Sequence, residues 1–238
     1  MLILTKIKNI ILGYRSSSES YINFLRKKGI LIGKDVKIYR PFNTTIDFQN
    51  PHLLTIGNDV QMTGPVTILT HDYSWSVLKK KYGYIYGNQR KTKIGNNVFI
   101  GWGATILGGT KIGNNVIIGA NSVVSGDIES NAVYAGNPAK KIMSLEEFRL
   151  KREKLQIKEA KESVLEYKKR YGKIPPESEL DEYFFLFSNN DSLPRFKEQM
   201  KLMENYNKSK KKLMSHNTRF KNYQEFVNYC LKDNIGDR

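Results

Sequence analysis

The chain has 238 residues, of which 39% are apolar and 26% charged, a composition typical of an ordinary folded protein rather than a disordered or fibrous one. The single cysteine, Cys230, excludes an internal disulfide scaffold and a cysteine-rich zinc site. The net charge of +16 attracts anions in general, whether nucleic acid, phosphorylated cofactor, anionic sugar or acidic lipid, and does not choose among them.

Residues 1–30 predict one or two short helices that cap the structure following them. No apolar run in the chain approaches the roughly 18 residues that a membrane span needs. Residues 1–12 include Lys6 and Lys8, and no small-residue cleavage site follows them. We therefore expect a cytoplasmic protein. Because the apolar residues of 1–12 lie roughly on one helical face, a peripheral contact with the inner face of the membrane stays open as an alternative.

A repeat of six residues dominates the middle of the chain. The first position of each hexad is aliphatic, and the second is usually glycine. This spacing fits neither the 3.6-residue period of a helix nor the two-residue period of a simple strand, but it fits a coil of short strands separated by tight turns. The aliphatic positions are Ile94, Ile100, Ile106, Ile112, Ile118 and Val124.

The same frame begins upstream, and an insertion interrupts it. Residues 32–36 and 56–60 read Ile-Gly-Lys-Asp-Val and Ile-Gly-Asn-Asp-Val, whereas the separation of Ile68 from Ile94 is not a multiple of six. An inserted loop over residues 73–93 accounts for the mismatch. The loop is basic and aromatic, and long loops in compact folds are more often functional than accidental.

Glycine nearly vanishes after Ile142, and helical patterns replace the hexads. An N-cap at Ser144 with acidic residues behind it predicts a helix to about Tyr171. Further helices are predicted over 178–187, 194–214 and 223–231. The sequence thus divides into a helical cap (1–30), a coil (31–143) and a helical C-terminal region (144–238).

The hexads, the segment Thr70-His71-Asp72 and the closing run Ala-Gly-Asn-Pro-Ala-Lys-Lys-Ile at 135–142 together resemble the hexapeptide-repeat acyltransferases. The closest branch acts on the hydroxyl groups of galactosides, maltose, nodulation factors and bacterial surface polysaccharides. The resemblance covers about residues 30–143. It implies a mainly β fold, a left-handed parallel β-helix with three hexads per coil, and a homotrimer. It also implies acetyl-CoA as co-substrate, bound between subunits, and a carbohydrate acceptor such as a surface-polysaccharide, glycolipid or oligosaccharide precursor.

His71 is the candidate catalytic residue. Transfer of an acetyl group from a thioester to a hydroxyl needs a base, because an alcohol is a poor nucleophile until its proton is removed. A neutral imidazole suits that task near neutral pH, and the Thr-His-Asp segment matches the family motif. His52 and His216 are expected to be ordinary structural histidines. The three histidines are far apart in the sequence, so no metal site is expected.

The resemblance places the pantetheine arm of acetyl-CoA along an edge of the coil, where small residues let a ligand approach the backbone. A backbone N–H near Trp102 is the candidate oxyanion donor, and Lys140 matches a basic position that contacts a CoA phosphate. Structural roles for the glycines, and a solvated one for Lys140, are equal alternatives. The matched positions are Gly101, Trp102, Ala120, Ser125 and Lys140.

Four residues are candidates for the acceptor site. Asn43 and Asp47 lie in the irregular stretch 41–47, where the resemblance implies polar contacts with sugar hydroxyls. Asp47 could instead orient His71, as the carboxylate of a triad does. A structural alternative applies to both Asn43 and Asp47, namely that they are turn residues whose side chains cap their own backbone. Trp75 and Tyr84 in the inserted loop are expected either to stack on a sugar ring or to pack against a neighbouring subunit.

Other functions stay open from the sequence. An N-acetyltransferase acting on a nucleotide-linked amino sugar differs only in the acceptor atom. A membrane-surface or scaffold protein built on the same coil would release no thiol from acetyl-CoA. Nucleic-acid binding suits the charge, but no helix-turn-helix, RNP-like or zinc-finger pattern is present, and no nucleic-acid partner is expected.

Overall fold

The structure is a computed structural model that describes residues 12–232. The chain forms two compact units, one ending at Phe148 and the other beginning at Arg149. The predicted amphipathic stretch 1–12 falls, except for its last residue, outside the described residues. Among the described residues, no helix is both long and apolar enough to cross a membrane.

The first unit opens with a helical cap. A 3₁₀ turn, Gly13–Arg15, precedes helix α1, Ser18–Lys27. The Ser17 hydroxyl accepts the Ser20 backbone N–H at 3.1 Å and so satisfies one of the free donors at the start of α1. Tyr21 and Leu25 of this helix are fully buried in the core of the unit that follows.

Three sheets form the coil, and successive strands of the chain belong to each sheet in turn. Strand pairs within the sheets are parallel except the last pair of the second sheet. The first sheet has the order β1-β4-β9-β12-β15, the second β2-β5-β10-β13-β16-β17, and the third β3-β6-β11-β14. The strands are β1 Leu31–Ile32, β2 Lys37–Ile38, β3 Thr45–Ile46, β4 Leu54–Ile56, β5 Val60–Met62, β6 Thr67–Ile68, β7 His71–Asp72, β8 Asn88–Gln89, β9 Thr92–Ile94, β10 Val98–Ile100, β11 Thr105–Ile106, β12 Lys111–Ile112, β13 Val116–Ile118, β14 Val123–Val124, β15 Asp127–Ile128, β16 Ala132–Ala135 and β17 Lys140–Ser144.

The strand register follows the hexads. Ile94 pairs with Ile112, and Ile106 with Val124, so each rung is three hexads long where the repeat is regular. The aliphatic positions point inward, and Ile106 and Val124 have no exposed surface. Burial of each such side chain stabilises the fold by about 1.5 to 3 kcal/mol. The predicted coil of short parallel strands is confirmed at this level, and its left-handed sense stays a prediction.

The corner after the first sheet leaves no room for side chains at its glycines. A Cβ atom on Gly57 would lie 2.5 Å from the carbonyl oxygen of Gly95 on the next rung, and one on Gly95 would lie 2.5 Å from that of Gly113. Real Cβ atoms do not approach other atoms so closely. Glycine is therefore required here by the stacking of the rungs.

Asparagines after these glycines join the rungs. The Asn96 Oδ1 atom accepts the backbone N–H of Asn58, and Asn114 Oδ1 accepts that of Asn96, each at 2.8 Å. The next residue on each rung is Asp or Asn in the left-handed conformation, which these two residues tolerate better than most. These are Asp35, Asp59, Asn97, Asn115 and Asn131, with φ of 56°, 57°, 54°, 57° and 60°.

The coil closes with strands longer than the two- and three-residue strands before them. Strand β16 has four residues and β17 has five, and the two pair antiparallel. After β16 the chain reverses at 136–139, where Gly136 and Ala139 hydrogen-bond to Val123, and β17 covers the last edge of the second sheet.

The inserted segment is more ordered than the predicted loop. Strands β7 and β8 pair antiparallel at its base, and helix α2, Trp75–Tyr82, lies between them. Leucine and lysine favour helix, and Gly83 ends α2 in the left-handed conformation with φ of 82°. The sequence pattern missed this helix because only two turns are present.

The second unit is helical. Its helices are α3 Leu145–Tyr171, which begins just before the unit boundary, α4 Pro194–Lys201, α5 Tyr206–Ser215 and α6 Tyr223–Lys232. The predicted N-cap is present, since the Ser144 hydroxyl accepts the Glu147 N–H at 3.1 Å and Glu147 Oε2 accepts the Ser144 N–H at 2.7 Å. Phe196 and Phe226 are buried at the centre of this unit.

Two of the helices predicted for this region are wrong in extent. The stretch 178–187 forms two 3₁₀ turns, Glu177–Leu180 and Phe184–Leu186, because its apolar residues enter the core without a continuous helical face. The stretch 194–214 divides into α4 and α5. The break falls at Met203, Glu204 and Asn205, whose positive φ angles are incompatible with a right-handed helix.

Replacement of Ile112 by aspartate tests the coil. Ile112 is 3% exposed, and a carboxylate at that position would lie in the apolar core without a partner. We expect Ile112→Asp to lower the free energy of unfolding by at least about 3 kcal/mol, measured by denaturant unfolding followed by circular dichroism. The exposed neighbour Lys111, changed to alanine, should stay within about 0.5 kcal/mol of wild type. An Ile112→Asp protein as stable as wild type would contradict the assigned register.

Candidate functional site

His71 and Asp47 meet at one corner of the coil, although 24 residues separate them in the sequence. Asp47 follows strand β3, and His71 comes shortly after strand β6 on the next rung. Pairing of Ile46 with Ile68 brings the two turns together. The Nδ1 atom of His71 then lies 2.6 Å from Oδ2 of Asp47.

Four hydrogen bonds from the chain itself hold the Asp47 carboxylate. Oδ2 accepts the Thr70 backbone N–H at 3.0 Å, the Thr70 hydroxyl and the His71 Nδ1–H, while Oδ1 accepts the Gln49 N–H at 3.0 Å. Burial alone would raise the pKa of Asp47, but the bonds from Thr70, Gln49 and His71 outweigh it and hold that pKa below its ordinary value. Both oxygens of this buried carboxylate are engaged, so the geometry favours the orienting role of Asp47 over a contact with a sugar.

The carboxylate fixes the tautomer of His71. An ionised carboxylate can only accept hydrogen bonds, so the proton of a neutral His71 ring resides on Nδ1. Nε2 then carries the lone pair, and it has no hydrogen-bond partner among residues 12–232. The His71 side chain is 12% exposed, which leaves part of the ring open to a small molecule. The arrangement can therefore remove a proton from a bound hydroxyl group.

Aromatic side chains stand beside His71. The ring of Tyr73 packs edge-on against the imidazole with centroids 5.2 Å apart, and Trp75 packs on Tyr73 at 5.9 Å. The Tyr73 hydroxyl donates to Gln49 Oε1 at 3.0 Å, which fixes the ring. Tyr84 lies farther along the inserted segment, where it is exposed and stacks on Tyr86.

Arg90, a cationic residue that no sequence motif marks, lies at the same corner and interacts electrostatically with Asp72. The Arg90 backbone N–H donates to the Thr70 carbonyl at 2.8 Å. The Arg90 side chain lies across Gly109, where a Cβ atom would come within 3.1 Å of Arg90 Cδ. The pairing of β7 with β8 brings Arg90 to this place, and no sequence motif marks it. Thr70 and Gln49 were likewise assigned no role, although Thr70 adjoins His71.

Four of the five positions predicted to contact acetyl-CoA lie at the two corners that flank the third sheet. Gly101, Trp102 and Ala120 lie at the corner before that sheet. Gly101 is buried, and a Cβ atom there would lie 2.6 Å from the Ala120 nitrogen, so rung stacking accounts for this glycine. Trp102 is 44% exposed, with the Arg40 guanidinium 4.6 Å from the centre of its ring.

The remaining predicted residues are exposed and lie apart from the His71 ring. Ser125 follows β14, in the same corner column as His71 and two rungs farther along. Lys140 begins β17, opposite Ala135. The Asn43 backbone N–H donates to the Arg40 carbonyl at 3.2 Å, as in a turn, and no contact joins Asn43 to His71 within the described part of the chain.

The other two histidines have structural surroundings. His52 is exposed in the 3₁₀ turn Pro51–Leu53. His216 has Nδ1 2.6 Å from the Leu213 carbonyl oxygen and Nε2 2.8 Å from that of Phe185. Across residues 12–232, no cluster of three or more histidine, cysteine or acidic side chains is arranged to hold a metal ion.

Comparison with known proteins gives three kinds of similarity. The family model described as bacterial transferase hexapeptide (six repeats) matches residues 91–126. Protein CapG of Staphylococcus aureus is 44% identical over 127 residues, which are 53% of this chain and 73% of that protein. "Putative acetyltransferase C18B11.09c" of Schizosaccharomyces pombe is 34% identical over 110 residues, 46% of this chain and 51% of that protein.

Among solved structures, a hexapeptide-repeat containing acetyltransferase from Vibrio cholerae has a TM-score of 0.45 and 18% identity. The match covers 60% of this chain and 89% of that one. The hexad match lies within the coil, and the relative from Staphylococcus aureus extends the similarity over most of its own length. The chain therefore belongs to the hexapeptide-repeat family of bacterial transferases that its sequence resembles.

Proposed function

We propose that this protein transfers an acetyl group from acetyl-CoA to a hydroxyl group of a carbohydrate, with His71 as the general base. The observation that carries the proposal is the 2.6 Å contact between His71 Nδ1 and Asp47 Oδ2, which leaves Nε2 free to accept a proton. Membership of a transferase family supports the reaction class. The name of the Schizosaccharomyces pombe relative supports an acetyl group as the one transferred.

In the proposed reaction, His71 Nε2 accepts the hydroxyl proton while the hydroxyl oxygen attacks the carbonyl carbon of the thioester. Asp47 stabilises the imidazolium that forms. The carbon–sulfur bond then breaks, and His71 returns the proton to the departing thiolate. The products are an acetyl ester and free CoA, and His71 is again neutral.

A carbohydrate acceptor fits the aromatic wall beside the base. Sugars present apolar C–H faces that pack on exposed aromatic rings, and Tyr73 is 58% exposed next to His71. Trp75 extends the wall, and Arg90 adds a cation that would favour an acceptor with an acidic group. Tyr84 and Asn43 stay candidates for more distant contacts with the acceptor.

Acetyl-CoA is proposed to bind along the third sheet, in a cleft between two left-handed coils of a homotrimer. The exposed residues Ala120 and Ser125 leave space for the pantetheine arm, and Lys140 offers a charge for a phosphate. The Trp102 backbone N–H donates to no acceptor within residues 12–232, so it is available as the oxyanion donor. The stacking of neighbouring rungs is enough to explain why residue 101 is glycine, so Gly101 needs no contact with CoA.

The homotrimer is supported by the apolar surface of the inserted segment. Tyr82, Tyr84, Ile85 and Tyr86 are each at least 58% exposed, and apolar side chains grouped on an exposed segment are a common feature of protein–protein interfaces. A neighbouring copy of the chain would bury them. Turnover of acetyl-CoA by a species that light scattering shows to be monomeric would refute the shared site.

Replacement of His71 by alanine should separate chemistry from binding. The proposed CoA contacts do not involve the imidazole. We expect His71→Ala to lower kcat by about 10²- to 10⁴-fold and leave the Kd of acetyl-CoA within about twofold of wild type. Thiol release and mass spectrometry of the acetylated sugar measure the rate, and calorimetry measures the Kd.

His52→Ala is the matched control, since His52 is exposed and outside the site. It should retain wild-type kcat. The assay offers the wild-type protein both amino sugars and sugars that carry only hydroxyl groups. Acetylation of the amino group alone would refute the proposed transfer to a hydroxyl. A His71→Ala protein with wild-type kcat would refute the base assignment.

Replacement of Asp47 by asparagine should affect both catalysis and the pH dependence of stability. Without the carboxylate, Nδ1 is no longer held as the donor, and we expect kcat to fall by about two to four orders of magnitude. Because folding lowers the pKa of Asp47, the carboxylate stabilises the fold above the ordinary carboxyl pKa of about 3.9, and this stabilisation is lost as pH falls through the pKa of the folded state.

Denaturant unfolding at several pH values measures the second effect. The difference in unfolding free energy between wild type and Asp47→Asn should be full near neutral pH and should shrink below about pH 4. Asp127→Asn, which changes an exposed carboxylate, should show no comparable trend. A difference that is independent of pH would mean that Asp47 is not held as a carboxylate.

A further inference from the structure

The helical unit contains a cavity of about 920 Å³ that plays no part in the proposed acetyl transfer. Its walls come from α3, from the segment 182–186 and from the end of α5 with the loop after it. All of its lining residues belong to the unit that begins at Arg149. The volume suits a small molecule of one or two sugar rings.

The charge of the cavity is positive. Arg149 and Arg152 line it, and each forms an ion pair with a glutamate, Arg149 with Glu153 and Arg152 with Glu159. The lining has two further cations, Lys212 and Arg219, and their side chains form no ion pair or hydrogen bond with any residue in 12–232.

Acidic residues only partly offset this charge. The lining includes two acids, Glu153 and Glu182. Glu153 is already paired with Arg149, and Glu182 lies close enough to Arg152 to interact with it electrostatically. Two cationic groups are therefore left available to an anion, in a concave site where their fields add.

Neutral polar groups in the same walls are also available. Gln156, Tyr183, Asn217 and Thr218 line the cavity, and their side chains donate to no acceptor in the described part of the chain. Burial raises the pKa of Tyr183, so its hydroxyl stays a neutral donor. Amide and hydroxyl groups of this kind are suited to bonding the hydroxyls of a sugar.

His216 stabilises one wall of the cavity. Its two ring nitrogens contact the carbonyl oxygens of Leu213 at the end of α5 and Phe185 in the facing segment, and its ring packs on Phe185 with centroids 5.1 Å apart. These contacts fix the loop 217–219 relative to the segment that carries Tyr183. The polar and cationic groups are thus held on a shaped surface.

We propose that this cavity binds a sugar that carries a phosphate or carboxylate group. Lys212 and Arg219 contact the anionic group, and Gln156, Tyr183, Asn217 and Thr218 contact the hydroxyls. The proposal does not depend on acetyl transfer by the coil.

Calorimetric titration of the full chain at low ionic strength tests the site. The probes are glucose 6-phosphate, glucuronate, glucose and inorganic phosphate. We expect one of the two anionic sugars to bind at least tenfold more tightly than either glucose or phosphate alone, because only an anionic sugar uses both sets of groups. The more tightly bound anionic sugar distinguishes phosphate from carboxylate recognition.

Charge reversal locates the site. Lys212→Glu and Arg219→Glu should each weaken binding at least tenfold, whereas Lys211→Glu, an exposed position on the same helix outside the cavity, should change it less than twofold. If the circular dichroism of a charge-reversal variant departs from that of wild type, the neutral variant at the same position, Lys212→Gln or Arg219→Gln, is measured in its place. His71→Ala should bind the sugar as wild type does.

The binding measurements and the charge-reversal variants could each overturn the proposal, through three results. They are no binding of either anionic sugar, equal binding of glucose or of phosphate alone, and equal weakening by Lys211→Glu and Arg219→Glu. Loss of binding in His71→Ala would place the sugar on the coil and would also overturn it.

Discussion

The coil depends on the close stacking of its corners. Hydrogen-bonded strands lie about 4.8 Å apart, so a corner residue must fit between the rungs before and after it. Gly57, Gly95 and Gly113 meet this condition by having no side chain. The matching position on the last rung of the first sheet is occupied by Glu129, and no further strand of that sheet follows it within residues 12–232. The glycine requirement therefore ends where the stacking ends.

The same stacking positions the candidate active site. Because the third sheet fixes Ile46 opposite Ile68, Asp47 and Thr70 occupy neighbouring layers, and the carboxylate receives donors from Thr70 and His71. These donors offset the desolvation of the carboxylate, which explains how a charge is kept within a mostly apolar fold. The rigid coil thus sets the direction of the imidazole without a further element.

The inserted segment leaves the coil at the same corner. Its base is the two-residue pairing of β7 with β8, so the rungs on either side remain in register while the chain between them forms α2. The segment brings Tyr73 against the His71 ring and Trp75 against Tyr73, and Arg90 interacts with the neighbouring Asp72. The proposed catalytic pair, His71 and Asp47, therefore lies at a corner of the coil, and the aromatic residues proposed to contact the acceptor lie on the segment that leaves this corner. Such a division is common where function resides in loops on a stable scaffold.

Much of the coil could be predicted from the sequence, because each hexad position has one physical role. The inward position must be aliphatic, and the residues after it must turn a tight corner. His71 could be singled out through its motif. The role of Asp47 could not be decided, since the residues between Ile46 and Ile68 do not keep the six-residue spacing and their register is set by the folded coil.

Features that depend on tertiary contacts could not be predicted from the sequence. Arg90 is brought to the corner that holds Thr70 and Asp72 by the β7–β8 pairing, and no local sequence pattern marks it. The stretch around Phe184 has helical composition, yet its aromatic side chains pack into the core on several sides and leave only 3₁₀ turns. The break between α4 and α5 rests on left-handed residues that have no glycine or proline to signal them.

The tautomer of His71 tests the central claim most directly. Nitrogen-15 NMR of the ring, at a pH where the imidazole is neutral and with the signals assigned by their absence from His71→Ala, reports which nitrogen carries the proton. The Asp47 contact predicts a protonated Nδ1 and an unprotonated Nε2. A ring with its proton on Nε2 would contradict the account, because the nitrogen assigned to accept the hydroxyl proton would then have no lone pair to offer.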